Sequence, residues 1–144
     1  MEIVTMGKVS VPARIENLAD LYDVQKERVS PDQVRAIDVP DALVDTGATL
    51  LSLPRRFIDQ LGLNRQRTHR ARTAAGILSF GIYDAVRLTV RERTCLTEVA
   101  EVPDDCPVII GQTPLEVLDF VVDPKGQKLI GNPDHGGEQM IDLF

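Results

Sequence analysis

Between Leu43 and Leu53 the chain reads LVDTGATLLSL, an aspartate enclosed by apolar runs. Leu43 and Val44 before it, and Leu50, Leu51 and Leu53 after it, call for a core. The Asp45 carboxylate resists one, because desolvation favours the neutral acid over the anion. An ordinary surface turn combines Asp and Gly without apolar residues on both sides, so that reading is disfavoured. The apolar flanks instead anchor in a core the loop that carries Asp45, and the question becomes what holds the charge.

The neighbouring residues suit a carboxylate that works on water. Such a group needs restricted solvent access, a fixed orientation and a raised pKa or a shared proton. Gly47 lets backbone approach closely beside the carboxylate, and Thr46 supplies a hydroxyl able to hydrogen-bond backbone across an interface. One carboxylate cannot act as both acid and base. Two about 3 Å apart share one proton, one acting on water while the other donates to a carbonyl oxygen.

The rest of the chain predicts a mostly β fold with about three or four short helices, compatible with a small closed or partly closed barrel. Val9, Val11, Ala13 and Ile15 alternate over Lys8–Glu16 as in a half-buried strand, with Pro12 at an edge or bulge position. Asn17 caps a helix reaching towards Arg28, with Leu18, Leu21 and Tyr22 on its apolar face. A second short helix starts at Ser30, where SPDQ places a cap, an early proline and a reciprocal Gln33. Pro40 ends this excursion, and the strand leading to Asp45 follows. A helix spans Pro54 to Gly62. Arg70–Tyr83 forms a hairpin broken at Ala75 and Gly76, and a strand alternating Val86, Leu88 and Val90 follows. Cys95–Val102 is a further strand. Val108, Ile109, Ile110 and Gly111 read as a strand buried on both faces, and Thr113 caps the helix after it. Phe120–Ile130 reads as strand, turn at Asp123–Gly126, and returning strand.

A length of 144 residues favours one domain, 1–144. The net charge of −6 excludes a nucleic-acid surface covering the whole protein. No stretch approaches the roughly 18 apolar residues of a membrane span, and the N-terminus lacks the pattern of a secretory signal. Cys95 and Cys106 are too few for a disulfide framework and predict reduced thiols in a cytoplasmic protein. His69 and His135 stand far apart with no ligand-spaced neighbours, so each is expected at the surface and no metal or other cofactor is expected. Arg65, Arg67, Arg70 and Arg72 are expected on a solvated edge strand.

At LVDTGAT the sequence resembles the aspartic proteases, and from Val9 to Ile130 it follows the order of their small, retropepsin-like members, with one barrel lobe per chain. The hairpin at Arg70–Tyr83 stands where that family has its flap, Val108–Gly111 where it has its hydrophobic-hydrophobic-Gly strand, and TPLEVLDF where it has a short helix. The resemblance implies an aspartic endopeptidase with Asp45 as catalytic carboxylate and Thr46 and Gly47 as the active-site loop and dimer brace. It implies substrate contacts from Gly47, Ala48 and Thr49 on one side and from Ala74, Ala75, Gly76 and Ile77 of the flap on the other. Val108, Ile109, Ile110 and Gly111 would support the loop. A helical insertion at about 17–38 and a tail at about 131–144 depart from the family. Only one such triplet is present, and Asp104, Asp105, Asp119 and Asp123 lack a following Thr-Gly or Ser-Gly. The expected partners are therefore a second copy, completing the dyad with its own aspartate, and an extended peptide or protein substrate. The alternative is a peptide-binding or assembly module of the same fold with weak, conditional or no cleavage.

Overall fold

The computed structural model describes residues 9–123 and 125–143. Nine strands and three short α-helices build it: β1 Val9–Asn17, α1 Leu18–Gln25, β2 Ala36–Val44, β3 Leu51–Pro54, α2 Arg55–Leu61, β4 Arg65–Thr73, β5 Gly76–Val90, β6 Arg93–Val102, β7 Ile109–Ile110, α3 Gln112–Leu118, β8 Phe120–Asp123 and β9 Lys128–Gly131. Seven strands join in the order β1-β2-β7-β3-β6-β5-β4, and a further β1–β5 pairing closes the first six into a ring. β4 remains outside the ring as an edge strand. The mixed, partly closed sheet is of the acid-protease type, and β8 and β9 form a separate antiparallel pair.

Alternation explains the ring. In β1, Val9, Val11, Ala13 and Ile15 point inward while Ser10, Pro12 and Arg14 face solvent. Pro12 sits in a register shift between Val11 and Ala13, opposite the stretch of β2 that contains Pro40. Two residues that cannot donate to the ladder thus share one irregularity. Pro40 does not end the helical excursion, as the sequence suggested; β2 begins at Ala36 and runs through it.

The segment between β1 and β2 holds α1 and a 3-10 turn at Pro31–Gln33. Asn17 caps α1 by accepting from the Asp20 N–H, and the Ser30–Gln33 capping box is present. The expected apolar face of α1 is not buried: Leu18 and Leu21 are half-buried and Tyr22 is 45% exposed. α1 is held by charge as well, since Arg35 grips Asp20 through Nε and Nη2 at 2.8 and 2.9 Å. That pair holds the Asp20 carboxyl below its ordinary range.

The hairpin arm and the strand after it are one element, the 15-residue β5, with a register shift between Tyr83 and Val86. Its outer half pairs with β4 and its inner half completes the ring. α2 starts one residue later than expected, with Pro54 as its cap, and ends at Gly62, whose φ of +66° is the left-handed conformation glycine accepts readily. The core gathers Ile15, Val44, Leu51, Leu53, Ile58, Leu61, Leu88 and Ile110, all at or near zero exposure. No helix among the described residues is long and apolar enough to cross a membrane.

Candidate active site

Asp45 follows the last residue of β2, and β7 positions it. β7 lies between β2 and β3, parallel to the first and antiparallel to the second. Leu43 N–H donates to the Val108 carbonyl at 2.8 Å and Asp45 N–H to the Ile110 carbonyl at 3.0 Å, so the ladder continues one residue past β2. Thr46 and Gly47 then turn the chain. Gly47 N–H donates to Asp45 Oδ1 at 2.9 Å and Ala48 N–H to the Asp45 carbonyl at 3.1 Å. The carboxylate is fixed by its own loop, an Asx-type arrangement that short acidic side chains form readily.

The loop's other side is fastened by α3. The first N–H groups of a helix have no partner within it. Here Gly111, Gln112 and Thr113 donate to the carbonyls of Leu50, Ala48 and Thr49 at 3.0, 2.8 and 3.0 Å. Thr113 was expected as the cap; Gly111 occupies that position without a side-chain cap, because carbonyls of the loop do that work. A Cβ on Gly111 would come within 2.5 Å of the Leu50 carbonyl oxygen and 2.7 Å of the Ala48 oxygen. Only glycine fits between helix and loop.

Asp45 is half-buried, Ala48 is half-buried, and Thr46, Gly47 and Thr49 are exposed. Among the described residues no cation lies within ion-pair distance of Asp45, and the Thr46 hydroxyl has no hydrogen bond. Within one chain the loop therefore presents an anchored carboxylate beside an uncommitted hydroxyl.

Sheet register relates the loop to the rest of the sheet. Leu43, Ile109, Ser52, Ala100, Ile82 and Arg67 lie in one row across five ladders. The adjacent row of Val44, Ile110, Leu51, Val99 and Tyr83 belongs to the core. By alternation Asp45 falls on the Leu43 and Ile109 side. Phe80 and Leu78, two and four residues before Ile82 on β5, continue that face into the hairpin. These residues escaped the reading from sequence, although the alternation of Leu78, Phe80 and Ile82 was the available signal.

Ala74 and Ala75 form the hairpin turn, closed by the Thr73 hydroxyl donating to the Gly76 carbonyl at 2.7 Å. Gly76 has φ +117° and Ile77 is 64% exposed. Among the described residues no hydrogen bond links positions 74–77 to positions 45–49. The hairpin is braced at its base, where Tyr83 Oη donates to Glu101 at 2.9 Å and receives from Arg55 at 3.0 Å. Burial and the Glu101 carboxylate push the Tyr83 hydroxyl up. Arg67 donates twice to Glu98, at 2.6 and 2.9 Å, which lowers that carboxyl.

The cysteines and histidines lie apart from this loop. Cys95 is buried and its thiol is pushed up to about 11 by desolvation, the state of an inert core thiol. His69 is exposed beside Phe80. His135 is not the surface residue expected: it is half-buried and paired with the Asp119 carboxylate. An open groove bounded by Pro12, Arg14, Asp38, Pro40, Thr89 and Arg91 lies on the β1–β2–β5 wall and contains none of the candidate residues.

Comparison with known proteins gives one family. No curated protein matches the chain. A family model described as aspartyl protease matches residues 33–127, from just before β2 through the Asp45 loop, the hairpin and α3 to the turn after β8. That match covers more than half of the sequence and contains every element that fastens Asp45, and the chain therefore belongs to the retropepsin-like aspartyl proteases.

Proposed function

We propose that the protein is an aspartic endopeptidase whose catalytic dyad is formed by Asp45 from each of two identical subunits. The observation that carries this reading is the Asp45 loop: one carboxylate per chain, fixed by Gly47 N–H and held from behind by Gly111 and the start of α3. Family membership supports peptide-bond hydrolysis, and the exposure of Thr46 and Gly47 favours a second copy as the loop's partner. Two-fold symmetry brings a residue opposite its own copy without needing a second triplet in the chain.

In this mechanism the paired carboxyls share a proton. The ionised one takes a proton from water as the water attacks the scissile carbonyl, and the protonated one donates to the carbonyl oxygen. Proton transfer to the amine then allows the C–N bond to break. Thr46 braces the two loops across the axis, and Gly47, Ala48 and Thr49 meet the substrate backbone. Ala74–Ile77 close over it, excluding water. The exposed Leu78, with the half-buried Phe80 and Ile109 on the same face, offers apolar contacts for its side chains.

The test is cleavage of denatured proteins from acidic to neutral pH by the wild type and by Asp45→Asn. The variant is expected to lose cleavage to background while keeping its dimer and melting temperature, and a pepstatin-type inhibitor is expected to block the wild type. Undiminished cleavage by Asp45→Asn overturns the assignment. A well-folded wild-type dimer that cleaves nothing favours the binding or assembly role instead.

A further inference from the structure

β4 is the open edge of the sheet, and its composition is unlike the rest of the molecule. Positions 65–73 hold Arg65, Arg67, Arg70 and Arg72, with no carboxylate, proline or glycine, in a chain of net charge −6. Eight of its nine residues are exposed and Ala71 is half-buried. An edge strand of this length carries a row of unpaired N–H and C=O groups, ready to accept another strand. Apart from the register shift between Arg65 and Arg67, at its inner end, neither bulge nor proline blunts it. Charge is its only protection.

The arginines are not equivalent. Arg67 is committed to Glu98, and Arg65 donates to the Thr68 hydroxyl. Arg70 and Arg72 make no ion pair among the described residues. Separated by two positions, they project from the same face about 7 Å apart, opposite Ser79 and Ile77 of β5. The other face at this level is Ala71 and His69, opposite Leu78 and Phe80, and it is largely apolar. Two copies of this edge repel each other, because like charges directly opposite across strands are unfavourable. A strand with carboxylates at alternate positions and apolar residues between them meets both faces favourably. The acidic body turns such a segment away elsewhere, so its attraction is concentrated at the hairpin.

We propose that the free edge of β4 is a docking site for an extended peptide bearing acidic residues at alternate positions, bound as an added strand. Main-chain hydrogen bonds supply affinity, and Arg70 and Arg72 set the charge and register of the occupant. The site requires no cleavage, and its residues, 65–73, lie outside the Asp45 loop in the chain.

The experiment uses fluorescence anisotropy on the full chain, with Asp45→Asn keeping the probe intact. The probe is a labelled peptide alternating glutamate and valine, compared with versions carrying glutamine or lysine at the same positions. The acidic peptide is expected to bind at least about tenfold tighter than the neutral one and to weaken as salt rises, because an exposed charge pair is screened within about 10 Å at 0.1 M. Its binding should slow hydrogen exchange in positions 65–73. Arg70→Glu with Arg72→Glu, both at exposed positions, should reverse the preference toward the lysine peptide. Indifference to peptide charge, an unchanged preference in the double variant, or displacement of the peptide by a pepstatin-type inhibitor would each overturn the proposal. So would a single-stranded RNA that competes at lower concentration than the peptide.

Discussion

At the scale of single residues, the site depends on a glycine that contributes no chemistry. Gly111 lies where a methyl group would meet backbone oxygens of Leu50 and Ala48, and backbone cannot rotate aside as a side chain can. Overpacking of this kind typically costs about 1–3 kcal/mol. Gly111→Ala should lower stability by about that amount in urea denaturation and reduce cleavage more than the stability loss explains, because the methyl pushes on the loop that holds Asp45. A variant with wild-type stability and activity would show that helix and loop are not packed this tightly. Gly47 is less restricted: its added Cβ would lie 3.1 Å from Asp45 Oδ1, a side-chain atom. Much of this was legible locally. The apolar flanks of Asp45 predicted an anchored loop, and the VIIG run predicted a strand; it was expected buried on both faces, but Ile109 is half-buried on the Asp45 side. That Leu50, Ala48 and Thr49 cap α3 was not legible, because the donors and acceptors meet only once β7 enters the sheet.

At the scale of elements, the corner between α3 and β8 fastens the segment that follows β9. Asp119 ends α3 in a left-handed conformation, φ +61°, and is 6% exposed. Its carboxylate accepts from Met140 N–H at 3.0 Å, from Asn132 Nδ2 at 3.2 Å and from the His135 ring. Arg93 of β6 donates to the Leu118 and Asp119 carbonyls and to that of Gly137. The His135 bond holds Asp119 below its ordinary range, and the Asp119 bond, aided by Asp142 and Asp134, raises His135. A lowered carboxyl pKa gives stability that is present above the unfolded carboxyl pKa and lost as pH falls through the folded one. A raised imidazole pKa gives stability that is complete below about 6.5 and lost as pH rises through the folded value. The latch is therefore strongest between these limits and loosens on both sides. Hydrogen exchange at the Met140 amide should be slowest in that window, and Asp119→Asn should flatten the dependence. A Met140 exchange rate with no pH dependence beyond intrinsic chemistry would contradict the latch. Sequence did not disclose this cluster, since Asp119 and His135 are joined only by the fold of β8 and β9. It did disclose β1 with its proline bulge and the left-handed end of α2 at Gly62, which rest on neighbours in the chain.

At the scale of the whole molecule, each ring of strands carries one Asp45 loop, and under the proposed mechanism hydrolysis needs two rings. Activity per chain should then fall on dilution in step with the dimer fraction measured by sedimentation, and recover on concentration. Full activity from a monomer would end the shared-dyad reading. The threading of β7 sets the order in which the site can be made. β2 and β3 flank the Asp45 loop early in the chain, yet Leu43 pairs with Ile109 and Leu51 with Ile110, which emerge from the ribosome long after. Such distant pairings form late, because loop-closure entropy must be met before their contacts are gained. The loop thus remains unfastened until Ile109 and Ile110 have left the ribosome, so under the proposed mechanism a nascent chain that stops short of them cannot cleave its neighbours.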